Sequence, residues 1–234
     1  MEQSSKTFFT VVFPVAAFVV LFILEQIFSN ITRSELGVVE SAQAILLLLA
    51  LAVAGSLLFQ IDPVHPRWIK TWIVLSMLAI LYVLLEEISY GKHYFNWNTP
   101  EYWKTLNDQE ETNLHNTSAW LDQKPRTLLE IGIIIGGIIV PLLRRFKPEA
   151  LPERLRPILP ASALFVTALL AILPRIYERI MVRMDMHDWQ MFARTSEIQE
   201  FYFFYFALLY FVFLKIRLTR SQQTYLDDPA KVEG

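Results

Sequence analysis

Two adjacent carboxylates, Glu86 and Glu87, close an apolar run, WIVLSMLAILYVLL. Charged groups at the end of a hydrophobic helix are costly unless something pairs with them or uses them. In an apolar pocket such a pair can serve as metal ligands or as general acid and base. Ser89, Tyr90 and His93 extend the polar surface, because positions 86, 90 and 93 fall near one another on a continuing helix. Further along, Glu111 and His115 stand four apart. That spacing puts a carboxylate and an imidazole on one helical face, where they can hold a divalent ion or form a base and its orienting partner. Met184-Asp185-Met186-His187-Asp188 sets another imidazole between two acids, and Glu130 and Glu25 add carboxylates near the ends of apolar segments. Each group also has a plain reading. Glu86 and Glu87 can pair with Arg126, Arg175 or Arg179, Glu111 and His115 can sit on a solvated helix, and His187 can occupy a surface turn.

The elements that must position these groups are apolar and long. The chain has 234 residues, 54% hydrophobic and only 19% charged, against about 25% charged in a soluble domain. Crossing a bilayer takes about 20 mostly apolar residues. Six segments qualify, near 8–28, 40–61, 68–88, 128–143, 158–176 and 201–218. The expected fold is therefore all-α, a polytopic transmembrane helix bundle with six spans. A long outer loop lies between spans three and four, and residues 1–222 form one domain with a loose tail at 223–234. In the fourth segment Gly132 and Gly136 form a G-x-x-x-G pair that predicts close helix approach, with Gly137 beside it. The outer segment after span five, from Arg175 to Glu200, begins as an amphipathic continuation of that span.

Orientation follows from the basic residues. With both termini cytoplasmic, the inner segments hold twelve of the 21 Lys and Arg, including the short basic loop RRFKPEALPERLR. Acidic residues separate further: seven of the 23 lie inside and sixteen lie outside or in outer helix ends. Positive-inside statistics do not depend on acids, so this excess points to an organised polar surface on the outer side.

A net charge of -2 and the lack of a basic patch argue against nucleic acid. Zero cysteines exclude disulfides, zinc-thiolate sites and iron–sulfur clusters. No Walker loop, Rossmann glycine run, H-E-x-x-H or G-x-S-x-G is present, and no helix has two histidines at haem-clamping spacing, so neither nucleotide nor haem is expected. Glu86-Glu87-Ile88-Ser89-Tyr90-Gly91 together with Asn113-Leu114-His115-Asn116 resembles an uncharacterised group of bacterial polytopic membrane proteins with EEIS-aromatic-G and NLHN segments. That resemblance covers about an eighth of the chain and implies where a site lies, in a bacterial inner membrane protein, without implying an activity. A looser likeness is to the ceramidase-like membrane metal hydrolases, whose helices supply Glu, Ser, Asp and three His to zinc. This chain departs from them in having six expected spans rather than seven and no late His-x-x-x-His pair.

The resulting expectation is a membrane-embedded, metal-dependent hydrolase or transferase with an outward-facing site for a lipid or lipid-linked substrate. His115, Glu86, Glu111, His187 and Glu130 form the expected ligand set for zinc, manganese, magnesium or iron. His115, Glu86, Glu87 and Glu111 carry the acid–base work, while Arg175, Arg179, Arg126 and Tyr90 meet the substrate. The competing expectations are a structural or accessory membrane subunit and a small cation- or proton-coupled transporter. The sequence leaves open a homo-oligomer or a membrane-protein partner.

Overall fold

The computed structural model describes residues 2–28, 37–61, 65–91, 98, 101–102 and 119–227. Those residues are 87% helical with no strand among them, so the protein is all-α. The long helices are α1 (Gln3–Phe28), α2 (Val38–Gln60), α3 (Arg67–Glu87), α4, α5 (Phe165–Arg183) and α6 (Thr195–Asp227). Helix α4 is built from Ala119–Ile133, a π segment at Ile134–Ile139, and Val140–Phe146. All of these except α5 are long and apolar enough to cross a membrane. Their outward faces carry large apolar side chains such as Val20 and Ile23 of α1, Leu75 and Leu78 of α3, and Ile135 and Ile139 of α4. Apolar surface on this scale belongs in hydrocarbon rather than water. This is an integral membrane protein.

Two expected spans change. The fifth, expected at 158–176, begins only at Ser162–Leu164 as a 3₁₀ turn that leads into α5. Pro157 and Pro160 keep the preceding residues out of the helix. Arg175, Glu178 and Arg179 then leave α5 too charged to join the other five. The sixth, expected at 201–218, runs from Thr195 to Asp227. That extension moves Glu197 and Glu200 from an expected outer loop onto a helix.

Helix α6 is the centre of the bundle, packed against α2 and α5. Phe201, Tyr202, Phe203, Phe204, Tyr205 and Phe206 are all buried. Six successive buried residues leave no face of a helix free, so α6 is enclosed on every side. Helix α2 meets it along Val39, Gln43, Leu47, Ala50, Ala54 and Leu57, a run stepping by fours and threes. Ala50 and Ala54 let the two backbones approach.

Both π segments precede a proline: Phe8–Val12 before Pro14, and Ile134–Ile139 before Pro141. Proline has no N–H, and its ring clashes with the carbonyl four residues back, so a wider turn relieves the helix. The carbonyl of Phe9 is left with Pro14 as its π-register partner, which cannot donate. The Tyr205 hydroxyl donates to it instead at 2.6 Å, and Tyr202 donates to the carbonyl of Pro14 at 2.8 Å. In a membrane each orphaned carbonyl costs several kcal/mol (on the order of 2–7), so these tyrosines fix α1 against α6.

The glycines of α4 divide. A methyl group at Gly137 would sit 2.5 Å from Cβ of Ala168 and 2.8 Å from the ring of Phe206, and one at Gly136 would sit 2.8 Å from Pro160. A methyl group at Gly132 would meet nothing within 4 Å. The tight contact is therefore made by Gly136 and Gly137, and Gly132 takes no part in the pair its spacing suggested.

Candidate metal centre

Glu86 and Glu87 occupy the last turn of α3, where side chains one residue apart diverge by about 100°. They consequently serve different neighbourhoods. Glu86 is buried, and the Tyr90 hydroxyl donates to its Oε1 at 2.7 Å. Tyr90 makes this contact just past the end of the helix, from the left-handed region at φ 53° and ψ 28°, followed by Gly91 at φ 93°. Burial, then the hydrogen bond to Glu86 and the neighbouring charges, push the Tyr90 phenol above its usual range. It stays a donor at neutral pH.

Glu87 turns instead to α6. Its carboxylate and those of Glu197 and Glu200 each offer an oxygen within 4.8 Å of the others. The pair on α6 is three residues apart, the spacing that places side chains on one helical face. Arg126 of α4 approaches from the side, with Nη2 2.8 Å from Oε1 of Glu200 at an angle poor for a hydrogen bond. Gln43 of α2 completes the surround. Its Nε2 donates to the backbone carbonyl of Glu197 at 2.8 Å and lies 3.4 Å from that residue's Oε2. Gln43 is 0% exposed, and its Oε1 has no hydrogen-bond partner.

Helix dipoles account for some of these acids but not for all. Glu40 and Glu197 sit in the first turns of α2 and α6, where a negative charge is favoured. Glu87 is at a C-terminus, where it is disfavoured, and it faces Glu200, Glu197 and Glu40 with Arg126 as the attractive charge nearby. Like charges at about 5 Å repel by on the order of 3 kcal/mol at an effective dielectric of about 20, before solvent screening lowers the figure. Arg126 is the cation that the described residues place beside these three carboxylates.

That spacing matches a divalent cation. Two Ca–O bonds of about 2.4 Å span about 4.8 Å, and smaller ions draw the oxygens somewhat closer. Three carboxylates form an oxygen-only donor set, which suits magnesium, manganese or calcium over zinc.

Of the other sequence-derived site residues, Glu130, Arg175 and His187 lie elsewhere. Glu111 and His115 are outside the described residues. Glu130 of α4 stands 3.9 Å from Arg179 of α5. Arg175 pairs along α5 with Glu178, and its Nε is buried without a hydrogen-bond partner. His187 occupies an exposed 3₁₀ turn, its Nε2 3.2 Å from Oδ1 of Asp185. Among the described residues only Glu87, Glu197 and Glu200 group closely enough to share an ion, so Glu86, Glu130 and His187 do not join them. Glu25 is also buried, and the Ala193 N–H donates to its Oε1 at 3.0 Å. With Phe18 and Phe22 edge-on to Phe192, it ties α1 to the connection before α6.

Glu197, Glu200 and Gln43 were not singled out by sequence. The available signal was Glu-Ile-Gln-Glu at the mouth of the last span and an amide near the start of the second. Comparison with protein-family models, with curated proteins and with solved structures gives no match for this chain.

Proposed function

We propose that this protein is a membrane-embedded hydrolase or transferase acting on a lipid or lipid-linked substrate at its acidic end, with a divalent cation held by Glu87, Glu197 and Glu200. The observation that carries this reading is the cluster of Glu87, Glu197 and Glu200, with carboxylate oxygens within 4.8 Å of one another and the buried Gln43 amide holding Glu197. When bound, the cation would supply an activated water or a polarised reacting group. Gln43 fixes Glu197, and Arg126 balances Glu200 and narrows the choice of ion. Arg179, whose side chain is 60% exposed, is placed to meet an anionic headgroup. Glu111 and His115 keep the role suggested by their spacing, an imidazole base and its partner supplied by the loop after α3. Loop charge supports an acidic end facing away from the cytoplasm, both termini inside, and a bacterial inner membrane setting. The described acids sit at span ends rather than at several depths, which favours chemistry at a surface over transport through the bundle.

The test is a reversal of sign. In chelator-treated protein, Glu87→Gln should raise thermal stability, because it removes like-charge repulsion. In millimolar Mn²⁺ or Mg²⁺ the wild type should overtake the variant. Its gain approaches about 2.7 kcal/mol at a cation concentration a hundred times Kd. Equilibrium binding of Mn²⁺ should show one ion per chain, weakened by about tenfold or more in Glu87→Gln and Glu200→Gln. If neither ion stabilises the wild type, the cluster is not a metal centre and the accessory-subunit reading replaces the enzyme.

A further inference from the structure

The opposite, basic end of the bundle holds a cavity of about 380 Å³ lined by Arg144, Pro148, Leu151, Arg156 and Arg217. That volume falls within the range of small-molecule sites, about 300–1,000 Å³. Three of its five lining residues are arginines. Arg144 ends α4, and Arg217 lies well inside α6, within the segment apolar enough to cross a membrane. A half-buried cation is costly unless something pairs with it or uses it.

Each of these half-buried guanidiniums uses one nitrogen on the loop that joins α4 to α5. Nη1 of Arg217 donates to the carbonyls of Arg156, Pro157 and Leu159 at 3.0, 3.0 and 2.7 Å. Nη1 of Arg144 donates to the carbonyl of Pro160 at 3.2 Å and reaches Oγ of Ser162 at 3.1 Å. These bonds hold the proline-rich loop in place, but they neutralise no charge. The Nη2 and Nε groups of both arginines make no hydrogen bond with a described residue, and neither arginine has a carboxylate partner among them. Arg156 alone has an acid nearby, Glu153 at 3.7 Å, and that carboxylate is 88% exposed. The leftover donors are therefore N–H groups on fixed forks, the geometry that matches phosphate oxygens in pairs.

We propose that this cavity binds a phosphate-bearing anion, either the headgroup of an anionic lipid or a soluble phosphate. The proposal is independent of the carboxylate cluster at the other end. The neighbouring apolar side chains Leu142, Phe146 and Leu155 are exposed, which lets a lipid enter beside α4 without crossing water.

The test uses full-length protein in detergent, with retention of phosphatidylglycerol followed by native mass spectrometry and inorganic phosphate added in a separate arm. Arg144→Gln and Arg156→Gln should each weaken phosphatidylglycerol binding by about tenfold, the worth of one charge-assisted contact. Arg145→Gln, a neighbour that does not line the cavity, should leave binding within about twofold. Arg144 also supports the loop, so Arg156→Gln, whose side chain is 56% exposed, carries the decision if Arg144→Gln fails to fold. Inorganic phosphate that displaces the lipid, or binds when the lipid does not, identifies the soluble source and keeps the site. Equal losses from Arg145→Gln and Arg156→Gln would mean diffuse surface attraction and overturn it, as would binding of neither lipid nor phosphate.

Discussion

Tyr90 combines a backbone cost with a side-chain gain. Its left-handed conformation costs a non-glycine residue about 1–3 kcal/mol, and its hydroxyl repays part of that by donating to the buried Glu86. Tyr90→Phe keeps the strain and loses the bond, so it should lower unfolding stability at pH 7 by about 1–2 kcal/mol. Tyr90→Gly loses both and should cost less. The pH dependence has a definite sign. Because the folded phenol titrates above its unfolded value, its contribution is complete below about pH 10 and is lost as pH rises through the folded value. Denaturant unfolding at pH 7 and pH 11 should therefore show a gap between wild type and Tyr90→Phe that shrinks at the higher pH. A Phe variant as stable as wild type at pH 7 would remove Tyr90 from any role in holding Glu86.

Helix α4 carries its packing information in which glycine is used. Gly137 is pressed between α5 and α6, where Ala168 and Phe206 leave no room for a methyl group. Gly137→Ala should cost about 1–3 kcal/mol, because a backbone-anchored Cβ cannot swing aside. Gly132→Ala should be neutral or slightly stabilising, since the added methyl meets open space and alanine favours helix. Thermal unfolding of the two variants in detergent separates them. Equal losses would mean that α4 packs through a different face. The π turns on α1 and α4 follow the same logic, with each proline displacing the helix register and neighbouring side chains absorbing the consequence.

The whole bundle has a polar division that its crossing number must respect. Carboxylates gather where α3 ends and α6 begins, and arginines gather where α4 ends and the loop to α5 folds back. Helix α5 joins these two ends although it is too charged to qualify as apolar. Its charged residues fall in its C-terminal half, near the acidic end, which is compatible with a full crossing whose last turns leave the hydrocarbon. The chain has no native cysteine, so single labels report cleanly. Glu149→Cys in the basic loop should react with an impermeant maleimide only from the cytoplasmic side, and Asp188→Cys only from the opposite side. Labelling of both from one side would mean that α5 does not cross and that the termini lie on different sides.

The positions of the apolar helices, the separation of charge between their ends and the oddity of Glu86-Glu87 were all legible along the chain. Each depends on local composition, and about 20 apolar residues or two adjacent acids are visible without knowing any neighbour. The partner of Glu87 was not legible in that way. In a water-soluble helix, periodic polarity shows which face is buried, but α2 is apolar towards lipid and core alike and the enclosed part of α6 is apolar all round. Nothing in ILLLLALAVAG marks Ala50 and Ala54 as the seam. Gln43 meets Glu197 across 154 residues of sequence, and Glu87 meets Glu197 and Glu200 only because the end of α3 lies beside the start of α6. Gly137 rather than Gly132 bears the close contact for the same reason. Spacing within one helix says which residues share a face, and only the tertiary structure decides what that face meets.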